Sequence, residues 1–245
     1  MNTTKKKLFV ITGVAGLLGS TLLPRILSKK NSIIVGIDNL KLGKIKFIKR
    51  FLSKNNFFFL KTDLYRRINS SKFKQILAKN QLEEIWHLAA NSDIPSGINN
   101  PRVDYRDTFL TTFNILNFVK PFLNLNSKII FSSTSAIYGN VGKKIHEKSA
   151  PLMPESNYGS MKLASEAFIS SYSFSNKVKS FIFRFPNVIG TNLTHGVIYD
   201  LSRKILSNDK YLKVLGNGEQ CKPYSSAEEI IRCIMYLTKK RHLHL

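Results

Sequence analysis

Three glycines, Gly13, Gly16 and Gly19, recur at every third position directly after the apolar run 8–11, where a helical pattern over 17–28 begins. Strand, tight turn, helix, in that order, leaves few folds open. Such glycines permit a sharp turn, a close approach of backbone to a pyrophosphate, and tight packing of helix on sheet. The helix N-terminus then offers unpaired N–H groups to negative charge. Gly13, Gly16, Leu17, Leu18 and Gly19 are therefore expected to line a dinucleotide site. A glycine-rich turn alone can be purely structural, so its meaning depends on the rest of the chain.

Beyond the turn the chain alternates. Short apolar runs at 8–11, 33–37, 57–60, 85–88, 128–131 and 180–183 are separated by helical patterns at 17–28, 44–52, 70–79, 105–122 and 158–173. Apolar runs without polar alternation indicate strands buried on both faces, as in a parallel sheet. Strands alternating with helices predict a doubly wound, mostly parallel α/β sheet of Rossmann-like type. After Phe185 the alternation fades and Gly, Asn and Pro become frequent. A cofactor-binding domain over 1–186 and a small, partial substrate lobe over 187–245 are expected, the lobe carrying helices at 195–208 and 227–239. A length of 245 residues with 43% hydrophobic content suits that plan.

Charge is the unusual quantity: 38 Lys and Arg against 15 Asp and Glu, a formal net of +23. The basic residues are scattered as pairs and triplets (5–7, 29–30, 143–144, 239–241), and no nucleic-acid motif accompanies them. A basic surface without a nucleic-acid partner is the expectation, and its field would draw anionic ligands such as nucleotide diphosphates. Cys221 and Cys233 lack metal-ligand spacing and imply no disulfide framework, so free thiols and no metal are expected. The triplet 5–7 ahead of the apolar stretch 8–23 imitates a signal peptide, but a strand ending in the glycine turn uses the same residues better. With no run of about 18 apolar residues, no membrane span is read, and a cytoplasmic protein is expected.

Two further features carry chemistry. The second strand ends in Asp38-Asn39-Leu40, about 20 residues past the glycine turn, where a carboxylate can take both ribose hydroxyls and repel a 2′-phosphate. That favours NAD over NADP, although Asp38 also suits a plain turn. Tyr158 and Lys162 lie four apart on one helix face, the arrangement in which a fixed positive charge lowers a tyrosine's pKa. The hydroxyl run Ser132-Ser133-Thr134-Ser135 follows the fifth strand, where an open parallel sheet places its ligand crevice. The same hydroxyls could equally be caps and turn formers.

Taken in order, these residues resemble a family, the extended short-chain dehydrogenases that epimerise or dehydrate nucleotide sugars, of the UDP-glucose 4-epimerase kind. Thr62-Asp63-Leu64 and His87-Leu88-Ala89-Ala90 match further motifs of that family, and the likeness runs from about residue 8 to about 237. The resemblance implies cofactor contacts at Asn39, Asp63, Leu64, Leu88, Ala89, Ala90, Ser132, Ser133 and Phe185, besides Tyr158 and Lys162. It gives Thr134 the hydroxyl that holds the sugar oxygen and assists Tyr158, with Ser133 as a second partner. Arg184-Phe185-Pro186-Asn187 resembles the segment that contacts a sugar diphosphate, through Asn187. Gly216-Asn217-Gly218-Glu219-Gln220 with Lys222 resembles a uridine-side loop. His195 opens a helix whose N-terminus could face the diphosphate, and His195 and Lys222 serve equally well as surface turn residues.

The resemblance also implies a mechanism. Tyr158 removes the sugar 4-hydroxyl proton as hydride passes to NAD, Lys162 anchors the nicotinamide ribose, and the 4-keto sugar is reduced on its other face. Dehydratases of the family carry Asp-Glu after the Thr, and decarboxylating members keep an acid at the second of those positions. Here Ser135 and Ala136 stand there, which leaves 4-epimerisation of a UDP-sugar in nucleotide-sugar metabolism or cell-surface polysaccharide biosynthesis. A dehydrogenase or reductase releasing its product, and a non-catalytic NAD-binding protein, stay open beside it. The family's substrate lobe normally continues past 227–239, and a homodimer through helices 105–122 and 158–173 is a further implication.

Overall fold

The computed structural model describes residues 5–140, 144–207, 211–214 and 216–239. Lys143, Asn208, Lys240 and Arg241, which fall in the expected basic clusters and the expected helix 195–208, lie outside them.

Six strands form one parallel sheet: β1 (Lys7–Thr12), β2 (Ser32–Asp38), β3 (Phe57–Lys61), β4 (Gln81–His87), β5 (Lys128–Thr134) and β6 (Lys179–Phe185). Their order is β3-β2-β1-β4-β5-β6, the doubly wound arrangement, with all neighbours parallel. The strand order reverses between β1 and β4, where Thr12 is paired with His87. An open sheet of this kind binds its ligand beyond the strand ends at that switch point.

Side-chain alternation along β1 explains the two layers of core. Leu8 and Val10 point into one layer with Ile85, Ile129, Leu116 and Ile169, while Phe9 and Ile11 point into the other with Trp86, Ile130, Leu22, Leu23 and Ile26. The first layer is covered by α2 (Ser71–Lys79), α5 (Thr111–Val119) and α6 (Asn157–Asn176); the second by α1 (Leu17–Leu27). Two short helices, α3 (Ile94–Asn99) and α4 (Pro101–Asp104), and a π-helical stretch Tyr105–Leu110 precede α5.

Beyond Phe185, β7 (Asn187–Ile189) and β8 (Tyr224–Ser226) pair in parallel as a separate two-stranded sheet, with α7 (Val197–Leu206) between them and α8 (Ala227–Leu237) after them. Ile230, Ile231 and Ile234 of α8 pack into the same layer as Leu22, Leu23 and Ile26 of α1. Full burial of such a side chain stabilises by about 1.5–3 kcal/mol, so α8 is tied firmly to the main sheet.

The expected helix 44–52 is instead two 3-10 turns, Ile45–Phe47 and Lys49–Phe51. Only Ile48 in that stretch is fully buried, and a segment with one anchored side chain lacks the stripe that holds a longer helix in place. The expected helix 105–122 is the π-helical stretch, α5 and a closing 3-10 turn at Lys120–Phe122, entered directly from α4, which Asn100 caps.

Candidate active site

The glycine turn is built by contact. Gly13 has φ +69°, and a Cβ there would meet the Ala89 nitrogen at 2.9 Å, so β1 can pass against the end of β4 only without a side chain. A Cβ on Gly19 would fall 2.2 Å from the Gly13 carbonyl oxygen. Gly16 caps α1 with no side-chain hydrogen bond, and the first turn holds no acidic residue. The N–H groups of Leu17, Leu18 and Gly19, in the first turn of α1, have no acceptor within the helix, an arrangement that suits negative charge.

Asp38 closes the neighbouring side. Its carboxylate accepts the Ala15 N–H at 2.9 Å and the Leu40 N–H at 2.8 Å, while Asn39 donates to Asp63 at 2.8 Å. Burial pushes the Asp38 carboxyl above its ordinary value, and the two N–H donors oppose that. Asp38, Asn39 and Asp63 are thus brought together at one edge of the turn. Leu64 is not: its side chain is core, in the layer that holds Val10 and Val35, because a leucine beside β3 gains more by burial than by facing a polar cleft.

The floor of the cleft rests on Thr12 and His87. Thr12 Oγ1 accepts the N–H groups of Leu88 and Ala89, both at 3.1 Å, so its own proton goes to His87 Nδ1 at 2.8 Å. His87 Nε2–H then donates to Thr112 Oγ1 at 2.8 Å, and Thr112 donates to the Thr108 carbonyl at 2.9 Å. The donors and acceptors permit one tautomer. Burial pushes His87 down to about 3, with the Lys162 charge adding to the effect. Leu88, Ala89 and Ala90 follow immediately and are half-buried.

On the other side of the switch point, β5 ends in Ser132, Ser133 and Thr134. Thr134 Oγ1 accepts the Ala136 N–H at 3.2 Å, and its hydroxyl is near enough to the Tyr158 phenol to favour the ionised form. Ser132 donates to the His87 carbonyl at 3.3 Å, and Ser133 donates to the Glu166 carboxylate. The expectation that this hydroxyl run faces the ligand crevice is corrected for Ser132 and Ser133: both are buried, and each is turned to an interior acceptor. Half of the hydroxyl run is scaffold.

Ser156 caps α6 by accepting the Gly159 N–H at 3.0 Å, which starts the helix immediately before Tyr158. Lys162 is 2% exposed, and its ammonium donates to the Ser132 carbonyl and lies 4.6 Å from the Phe131 ring centre. It is 5.8 Å from the Tyr158 ring centre. Burial pushes Lys162 down to about 7, against the nearby Glu166 charge. Tyr158 is shifted upward, first by burial and then by the Asp104 carboxylate, while the Thr134 hydroxyl favours the phenolate. The expected lowering of the phenol by Lys162 is therefore corrected: the ammonium is bonded to a carbonyl of β5, and the group acting on the phenol in the favourable direction is Thr134.

Phe185 stacks on Phe183 at 6.2 Å at the end of β6. Asn187 donates to the Pro223 carbonyl at 3.4 Å and pairs with Tyr224 of β8, and Lys222 is exposed in the segment just before that strand. His195 bonds Thr194 Oγ1 at 2.9 Å just ahead of α7. Asn192 donates to Ser20 on α1 at 2.9 Å, and Gly190 lies against Leu17, so the segment after β7 sits on the glycine turn's helix.

Sequence reasoning missed Glu166, Arg184 and Asp104. Glu166 lies four residues past Lys162, and Arg184 is a charge inside an apolar strand; both are readable signals. Asp104 is 1% exposed, with Oδ1 accepting from Asn91 at 2.7 Å and Oδ2 without a hydrogen-bond partner among the described residues. Nothing in its neighbourhood of the sequence marks it.

A family model described as GDP-mannose 4,6 dehydratase matches residues 10–244. The chain belongs to the nucleotide-sugar epimerase and dehydratase family of extended short-chain dehydrogenases. Within this family it is similar to the uncharacterized UDP-glucose epimerase YtcB of Bacillus subtilis, 27% identical over 240 residues, 96% of this chain and 73% of that one. It is similar also to UDP-glucuronate 4-epimerase of Thermodesulfobacterium geofontis, 26% identical over 233 residues, 91% of this chain and 69% of that one. The fold matches UDP-glucuronic acid 4-epimerase of Bacillus cereus, solved with UDP-glucuronic acid and NAD, at TM-score 0.82 and 24% identity, covering 96% of this chain and 74% of that one. Among the described residues no helix is long and apolar enough to cross a membrane, and no cluster of metal-ligating side chains occurs.

Proposed function

We propose that the chain is an NAD-dependent epimerase that inverts C4 of a UDP-sugar through a 4-keto intermediate. The observation that carries this is the placing of the Thr134 hydroxyl, at the end of β5, near the Tyr158 phenol, with Ser135 and Ala136 next in the chain, where elimination would need an acid and a base. The residues fit the cofactor: a side chain at Gly13 or Gly19 would collide with backbone, the first turn of α1 is uncapped, and Asp38 disfavours a 2′-phosphate. NAD, when bound, accepts the hydride from the sugar and returns it.

The chain's own residues handle the proton and the orientation. Thr134 holds the sugar 4-oxygen and steadies the phenolate, and Tyr158 takes the 4-hydroxyl proton and later gives it back. Lys162 supplies positive charge and a donor for the nicotinamide ribose. Gly13, Gly16, Leu17, Leu18 and Gly19 seat the pyrophosphate, and Asp38, Asn39 and Asp63 the adenosine. Leu88, Ala89, Ala90 and Phe185 border the nicotinamide half, while Asn187, His195 and Lys222 meet the nucleotide diphosphate. Residues 1–186 act as the cofactor domain and 187–245 as the substrate lobe, with α8 lending its apolar side to the former.

A homodimer is part of the reading. Tyr105, Phe109, Phe113 and Phe168 make a continuous aromatic strip across the π turn, α5 and α6, with Tyr105 50% and Phe113 41% exposed. Light scattering giving a monomer mass would sink this part alone.

The main test is purified protein assayed for bound NAD and for interconversion of UDP-sugars, beside Tyr158→Phe. Turnover with no net change in NAD, reduced by about 10²–10⁴-fold in the variant, is expected. Stoichiometric NADH release would instead identify a dehydrogenase, and NAD binding without turnover a binding protein.

A further inference from the structure

Glu166 is a buried carboxylate without a part in the chemistry just described. It is 5% exposed, one turn past Lys162 on α6. It accepts from Ser133 on β5 and from Arg184 on β6, whose Nε and Nη2 lie 3.1 and 2.8 Å away. Arg184 is held in turn by the Tyr138 hydroxyl at 2.9 Å and the Glu147 carbonyl at 3.1 Å. One turn earlier on α6, Lys162 donates to the Ser132 carbonyl. Consecutive residues of β5 are therefore gripped by consecutive turns of α6. This double grip seats the helix that carries Tyr158 on the strand that ends in Thr134.

The same carboxylate is the negative charge acting on Lys162. The other groups around the ammonium are the Phe131 ring, the Ser132 carbonyl, the Tyr158 ring and the imidazole of His87 on β4, which burial keeps neutral. Asp104 on α4 acts on Tyr158, and Arg184 on β6 acts on Glu166. We propose that Glu166 is a positioning residue for the reaction at Tyr158, holding α6 on β5 and keeping the Lys162 ammonium protonated. The proposal rests on the role given to Lys162 above. At the spacing of one helical turn and an effective dielectric near 20, a buried carboxylate favours an ammonium by roughly ten- to hundred-fold.

The test is the Lys162 titration in the full chain without added nucleotide. Lysine side chains are labelled with ¹³C at Cε, and the resonance of Lys162 is assigned by its loss in Lys162→Met. In Glu166→Gln the resonance is expected to lose its proton at a pH lower by about one unit or more. Glu166→Asp, which keeps the charge, is expected to restore most of that. With UDP-sugar and NAD present, kcat of Glu166→Gln should fall and recover partly at lower pH, with KM little changed. Removing one partner of a buried pair can unfold a protein, so the double variant Glu166→Gln/Arg184→Met is made as well, because replacing both charges spares the fold. Coincident Lys162 titrations in wild type and in folded Glu166→Gln would overturn the proposal, and so would coincident titrations in Arg184→Met and the double variant where the single variant does not fold. A wild type that turns over no UDP-sugar would overturn the function proposed above, and the titration would still decide this one.

Discussion

Thr12 of β1 and His87 of β4 are joined across the central pair of strands, Oγ1 to Nδ1 at 2.8 Å. The bond fixes the direction of every proton from the Leu88 N–H to the Thr108 carbonyl, and the end of β4 is held where Gly13 can touch it.

Thr12→Val should expose the cost of that arrangement. It leaves the Ala89 N–H and His87 Nδ1 without their partner, while the Leu88 N–H keeps the Thr12 carbonyl at 3.3 Å, and a loss of about 2 kcal/mol or more in urea unfolding is expected.

His87 also makes a pH prediction. Its folded pKa, about 3, is below the ordinary 6.5, so the unfolded chain binds the extra proton between those values. Stability contributed by neutral His87 is complete above pH 6.5 and is lost progressively as pH falls toward 3. Unfolding midpoints measured from about pH 7 to about pH 4 should fall less steeply in His87→Gln than in wild type.

Gly19→Ala places a methyl 2.2 Å from the Gly13 carbonyl oxygen, a backbone atom that cannot swing aside. A loss of about 3 kcal/mol or more is expected, with NAD binding by calorimetry abolished in whatever folds.

Lys162→Met should separate stability from activity. The folded Lys162 titrates near 7 against an ordinary 10.5, so above pH 10.5 its burial carries no charge cost, and as pH falls to 7 the cost grows to its full value. The variant should therefore be more stable than wild type at about pH 6, with the advantage shrinking toward about pH 10, while turnover is lost. Equal unfolding midpoints at the lower pH would count against a buried, titrating ammonium.

Asp38→Ala should weaken NAD about ten- to hundred-fold, and NADP less, measured by competitive binding. The variant also orphans the Ala15 and Leu40 N–H groups, so part of the loss will arise from a loosened turn.

The sheet is legible in the chain because burial on both faces writes apolar runs into it, and the glycine turn because sterics exclude every other residue there. The site is legible where residues four apart share a helix face, as Tyr158 and Lys162 do. What the chain does not spell out is where a side chain turns once strand and helix meet. Ser133 and Thr134 are neighbours of the same chemistry, yet Ser133 is turned to Glu166 in the interior while Thr134, at the strand's end, accepts from Ala136 beside Tyr158 at the start of the same helix. The 3-10 turns at 45–51 carry a helical pattern for a related reason: their shape is set by the one buried anchor, Ile48, a tertiary fact.

The packing of α8 on α1 has a consequence for synthesis. Leu22, Leu23 and Ile26 emerge early, yet the isoleucines that cover them, Ile230, Ile231 and Ile234, are made some 200 residues later. Until then the part of that helix face not packed on the sheet stays open to chaperones and to other nascent chains. The cover of α1 is completed only when α8 is made.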